Sequence, residues 1–177
     1  MRATSLTVAA LAAALLLTAC DDGGNGGDTD DSQDRKAGSA CGLDEMAVQV
    51  GPANAAPAAG DTGNVPVTLT NKGSRCTLKG FPGVDLYGSG MSAGLPAQEG
   101  AKAVKLTLDE GAAATFTITY ERGEAGAEDT LDAKTLKISL PGATAQQSYK
   151  WSYGPVRGED NPGVLKASVS PFVQAGD

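Results

Sequence analysis

Thr115-Phe116-Thr117-Ile118-Thr119-Tyr120 alternates polar and apolar side chains without interruption. In extended backbone successive side chains point to opposite faces, so Phe116, Ile118 and Tyr120 share one face and the three threonines the other. Working outward, similar short runs recur at Met46 to Val50, Asn64 to Thr70, Val84 to Tyr87, Val104 to Leu108, Leu136 to Leu140, Ser148 to Tyr153 and Leu165 to Ser170. Gly and Pro punctuate the intervals, and no stretch keeps helical spacing for three turns. About eight strands separated by turn residues predict an all-β domain, an antiparallel β-sandwich, over residues 41–177. Arg122 to Asp132 is polar and reads as a loop, and Gly88-Ser89-Gly90 as a hairpin turn.

Composition narrows the chemistry. The 177 residues carry 14 Lys plus Arg against 21 Asp plus Glu, a formal charge of −7, and no His. Without histidine there is no Ser-His-Asp or Cys-His pair and no imidazole metal ligand. An acidic chain lacks the clustered Lys and Arg that give phosphate affinity, so nucleic acid is not an expected partner. No metal or cofactor is expected.

The N-terminus reads as an address. Residues 1–19 form a signal peptide, with Arg2 followed by an uncharged, mostly apolar run from Leu6 to Ala19. That run is shorter than the roughly 20 residues a transmembrane helix needs. Leu17-Thr18-Ala19-Cys20 resembles the bacterial lipobox, which implies cleavage before Cys20 and diacylglyceryl transfer to its thiol. Two acyl chains supply stable anchoring at about 0.8 kcal/mol per buried CH₂. The expected location is therefore the cell membrane, lipid-anchored through Cys20 on the extracytoplasmic face.

Residues 20–40 comprise the lipidated Cys and an acidic Gly/Asp-rich tether, with six Asp against two basic residues after Cys20. Such a segment buries too little apolar surface to offset its ordering entropy and is expected to be disordered. With Cys20 acylated, Cys41 and Cys76 remain as an even pair in an oxidising setting, and a bridge between them is expected. Such a bridge stabilises by roughly 4 kcal/mol in the chain-entropy account. The competing reading is a reactive thiol at Cys76 beside Arg75 and Lys79.

The stretch from Asn71 to Gly88, NKGSRCTLKGFPGVDLYG, resembles the signature of the domain of unknown function 4232 family, common in secreted lipoproteins of high-GC Gram-positive bacteria. Asn71, Cys76-Thr77-Leu78, Gly80-Phe81-Pro82-Gly83 and Val84 carry the likeness. Cys41 and Leu43 match the family's earlier Cys and the Leu that follows it, and Leu136 to Phe172 fits more loosely. The resemblance implies an immunoglobulin-like β-sandwich with a Cys41–Cys76 disulfide and an envelope location. It implies no activity. Physically the motif reads as architecture, with Asn71 and Gly73 in a turn and Phe81-Pro82-Gly83 as an aromatic-anchored corner.

No Ser-x-x-Lys spacing occurs. Asp109-Glu110, Glu128-Asp129 and Glu159-Asp160 are carboxylate pairs that formally allow glycosidase chemistry, although acidic doublets between strands are commonly solvated turn residues. The leading ligand candidates are Tyr149, Trp151 and Tyr153, which would share one face of a strand running to Tyr153. Three such rings make either a platform for a sugar or peptide, or part of the core. The loop Gly154 to Gly163 reads as a surface connection or a binding loop, with a calcium turn at Glu159, Asp160 and Asn161 as a further option. The expectation is a non-enzymatic lipoprotein binding an envelope or extracellular protein or glycan. A carboxylate-dependent cell-wall glycan hydrolase and a purely structural envelope protein are the alternatives.

Overall fold

The computed structural model describes residues 38–51, 54–161 and 163–176. The expected signal peptide, Cys20 and the tether up to residue 37 lie outside the described residues. Those described contain a short 3₁₀ turn, Leu43–Glu45, and thirteen strands: β1 (Met46–Val50), β2 (Thr62–Asn71), β3 (Cys76–Lys79), β4 (Gly83–Gly88), β5 (Met91–Gly94), β6 (Lys105–Leu108), β7 (Ala113–Glu121), β8 (Thr130–Leu131), β9 (Thr135–Ser139), β10 (Gln146–Lys150), β11 (Val156–Arg157), β12 (Ala167–Val169) and β13 (Val173–Gln174). Every ladder between them is antiparallel. One sheet runs β1-β2-β7-β12, with β13 also on β7, and a second runs β10-β9-β4-β5. The pairs β11-β8 and β3-β6 stand apart as two-stranded ladders.

β7 carries the alternation quoted at the outset, and its apolar set is the buried one: Phe116, Ile118 and Tyr120 are each at most 1% exposed. β2 pairs with it from Thr62↔Glu121 to Thr70↔Ala113, burying Val65, Val67 and Leu69 on the same side. Pro66 sits inside β2 without loss of a ladder bond. Its carbonyl accepts from Gly51 N–H at 2.8 Å, so its missing N–H faces the side on which β1 has just ended. On the other edge of β7, Pro171 separates β12 from β13. There Thr117 N–H donates to Ser170 Oγ at 2.9 Å, a side chain completing the ladder at the break.

Val84 and Leu86 of β4 and Leu136 and Ile138 of β9 join the β2 and β7 side chains in one apolar cluster. Burying each such side chain contributes about 1.5–3 kcal/mol, so this cluster is the main source of stability. Phe116 and Phe172 meet edge to face at 5.5 Å. Tyr120 lies over its ladder partner Gly63, where an added Cβ would come within 2.3 Å of the ring. Glycine is thus required at 63 so that the phenol can lie flat against the backbone.

Cys41 and Cys76 form a disulfide with Cα atoms 4.9 Å apart. It fastens the segment ahead of β1 to β3, and backbone pairing already begins at Ala40, which bridges Thr77. Asn71, expected in a turn, ends β2 fully buried. Its Nδ2 donates to the carbonyls of Ser74, Leu108 and Asp109 at 2.9, 3.1 and 3.3 Å, while Oδ1 accepts from Gly73 N–H at 3.0 Å. One side chain therefore closes the turn into β3 and ties it to the end of β6. At the following corner Pro82 is buried and Phe81 only half-buried, so the proline rather than the aromatic ring is the inner anchor.

Other departures are local. The strand expected from Ser148 to Tyr153 runs Gln146–Lys150. The expected loops 122–132 and 154–163 contain β8 and β11, which pair with each other. The turn at Ser89-Gly90 is a hairpin, with φ of 50° and 77° that suit a two-residue connection between β4 and β5.

Candidate functional site

The aromatic trio divides. β10 ends at Lys150, and Trp151 turns inward to 2% exposure, with its backbone N–H donating to Lys134 O at 2.9 Å. Its Nε1–H donates to Gly154 O at 2.6 Å. The indole packs edge to face on Tyr120 at 5.2 Å and on Tyr153 at 5.0 Å. Tyr120 Oη donates to Tyr153 O at 2.6 Å and accepts from Ala56 N–H at 3.3 Å. Tyr149 and Tyr153 are half-buried against the core, and Tyr149 Oη donates to the Gln147 side chain. Burial raises the pKa of both phenols, and at Tyr153 the neighbouring Tyr120 adds to the rise. The trio therefore offers two phenol flanks to solvent, with Trp151 holding the chain after β10 to β7.

Two of the three carboxylate doublets are brought together. Glu128 and Asp129, just ahead of β8, and Glu159 and Asp160, just after β11, line one groove of about 630 Å³. Its inner side is apolar, with Ala93, Leu131 and Leu165 buried, and at its mouth Met91 and Val164 are 58% and 41% exposed. Among the described residues no Lys, Arg or aromatic side chain lines it. Backbone bonds hold the walls: Gly158 N–H donates to Asp129 O, Glu159 N–H to Val164 O at 2.8 Å, and Lys166 N–H to Arg157 O at 2.8 Å.

Charge on the groove is uneven. Asp129 meets Arg157 at 3.5 Å, and Arg157 also bonds Glu121 at 2.8 Å, which with Asp129 holds the guanidinium pKa above its ordinary value. Among the described residues Glu128, Glu159 and Asp160 have no ion-pair partner. Asp109 lies elsewhere, paired with Arg75 at 3.1 Å. No group of three or more His, Cys, Asp or Glu among the described residues is arranged to hold a metal ion.

The third wall is β5, which sequence reasoning missed because Met-Ser-Ala-Gly lacks β-branched and aromatic residues. Its one signal is the spacing Gly90-Met91-Ser92-Ala93-Gly94, formally that of a nucleophile elbow. An elbow needs a strand-to-helix turn and a base. Here the five residues run from a hairpin turn into a strand, and the chain has no histidine.

An antiparallel all-β domain closed by one disulfide is the class of protein these features define. The family model described as Domain of unknown function (DUF4232) matches residues 41–173, and the chain belongs to that family. Comparison with curated proteins and with solved structures found no match.

Proposed function

We propose that the protein is a membrane-anchored extracytoplasmic lipoprotein whose β domain, packed as an immunoglobulin-like sandwich, binds an envelope or extracellular component without catalysis. The anchoring part rests on the lipobox-like Leu17-Thr18-Ala19-Cys20 and the acidic spacer behind it. The observation that carries the binding part is the groove beside β5, an apolar depression with Met91 and Val164 exposed at its mouth. Exposed apolar surface rimmed by polar groups marks interaction sites.

Val164→Glu tests the reading, since it places charge in the mouth from an exposed position. The full chain is expected to retain an envelope component that the variant loses; equal retention by both would contradict the assignment. A second reading starts from the convergence of two carboxylate doublets on one groove, since a glycan hydrolase works with a pair of carboxyl groups. It requires turnover of cell-wall fragments that disappears in Glu159→Gln and Asp160→Asn, whereas a binding module shows none to lose.

A further inference from the structure

β5 is the outer strand of its sheet, with β4 on one side and, among the described residues, no strand on the other. Its hydrogen-bonding phase follows from Leu95 N–H, which donates to Val84 O at 2.8 Å in the same register that pairs Leu86 with Ala93 and Gly88 with Met91. In an antiparallel ladder bonded and non-bonded pairs alternate. Ser92 and Gly94 therefore direct their N–H and C=O groups away from β4, toward the open edge. Both residues are exposed, and among the described residues neither backbone has a hydrogen-bond partner. Met91, Ser92 and Ala93 of this strand form one wall of the groove whose other walls carry Glu128, Glu159 and Asp160, and Gly94 continues the same open edge beyond it.

Resting on the reading of this domain as a binding module, we infer that the groove takes an extended, basic segment of a partner protein, added as a strand along β5. Two kinds of group meet there. The outward N–H and C=O groups of Ser92 and Gly94 match the main chain of a strand, and the apolar inner side accepts alternate side chains. The unpaired carboxylates select Lys or Arg at the positions between. Charge argues against the chain's own tether as occupant, because residues 21–40 hold six Asp against two basic residues. It also argues against a second copy, whose residues 41–177 hold 15 acidic and 11 basic side chains. A sugar ring would find no aromatic face, since among the described residues none lines the groove.

The test uses the full chain and a short synthetic peptide alternating Lys and Val. A Glu-Val peptide, a Lys-Val peptide N-methylated on alternate residues and a cell-wall oligosaccharide serve as comparisons. The Lys-Val peptide is expected to bind, to weaken as salt is raised, and to slow amide exchange at Ser92 and Gly94. Charge reversal at the exposed Glu159 and Asp160, with far-UV circular dichroism unchanged, is expected to weaken it about tenfold or more. N-methylation removes the strand's donors from the peptide without touching the protein, and is expected to abolish binding. Equal affinity for the methylated peptide, or for the Glu-Val peptide, overturns the inference. Oligosaccharide binding at the groove without peptide binding also overturns it while leaving the binding module standing. Absence of both removes the inference, and the Val164→Glu retention experiment then decides the broader reading on its own.

Discussion

Asn71 is the single side chain on which the most backbone depends. Its amide satisfies three carbonyls contributed by the turn into β3 and the end of β6, in a site with no access for water to replace it. A buried group left unsatisfied costs about 1–3 kcal/mol, so Asn71→Ala is expected to lower unfolding free energy by about 3 kcal/mol in urea titration. Asn71→Asp should be worse, because a carboxylate would face the three carbonyls with no hydrogen to donate. Half of this residue's role was legible: an Asn followed by Gly two positions on reads as a turn, and Gly73 N–H does bond Oδ1. Its contacts with Leu108 and Asp109 were not, since they bridge 37 and 38 positions of sequence. The tyrosines make a second prediction at this scale. With pKa values raised above 10.0 by burial, Tyr149 and Tyr153 favour the fold while protonated. Their contribution is fully present below about pH 10 and is lost as pH climbs through the raised folded values. Phenolate absorbance should rise later in the folded chain than in urea, and stability should fall only in that alkaline range. Coincident titration of folded and unfolded chains would contradict the burial.

At the scale of elements, legibility followed the strength of side-chain alternation. β7 and β2 were readable because each is flanked on both sides and presents one face to the core along most of its length. β1 was readable to the residue for the same reason of clean boundaries, with Gly51 ending the apolar run. β8, β11 and β13 have two residues each, too few for any period to register, and exist because a partner strand supplies their register. β10 ended early because the Trp151 indole found its bond at Gly154 and its packing on Tyr120, contacts that strand alternation does not encode. The groove shares this limit: its doublets are about 30 positions apart, and only the pairing of β8 with β11 joins them. The Cys41–Cys76 disulfide also acts here, holding β3 to the chain entering β1 across a separation of 35. Replacing both cysteines with Ala is expected to cost about 4 kcal/mol in the chain-entropy account. A midpoint in denaturant unchanged from wild type would show that the bridge adds nothing to a sheet already formed.

At the scale of the whole molecule, charge and the proposed lipid anchor are the features to test. Residues 21–40 and residues 41–177 each carry a formal −4, so the acidity of the chain is divided evenly between the two segments. Cys20→Ala is expected to move the protein from the membrane fraction to the soluble one or to stall its processing. Unchanged membrane retention with unchanged mature mass would remove the lipid anchor. In the proposed function the domain meets its partner at the groove beside β5. Amide hydrogen exchange of the full chain, with and without an envelope extract, reads that contact at residue level. Protection concentrated at Met91–Gly94 and at 158–165 is the predicted result; protection confined to the β10 face, with β5 exchanging as before, would contradict it.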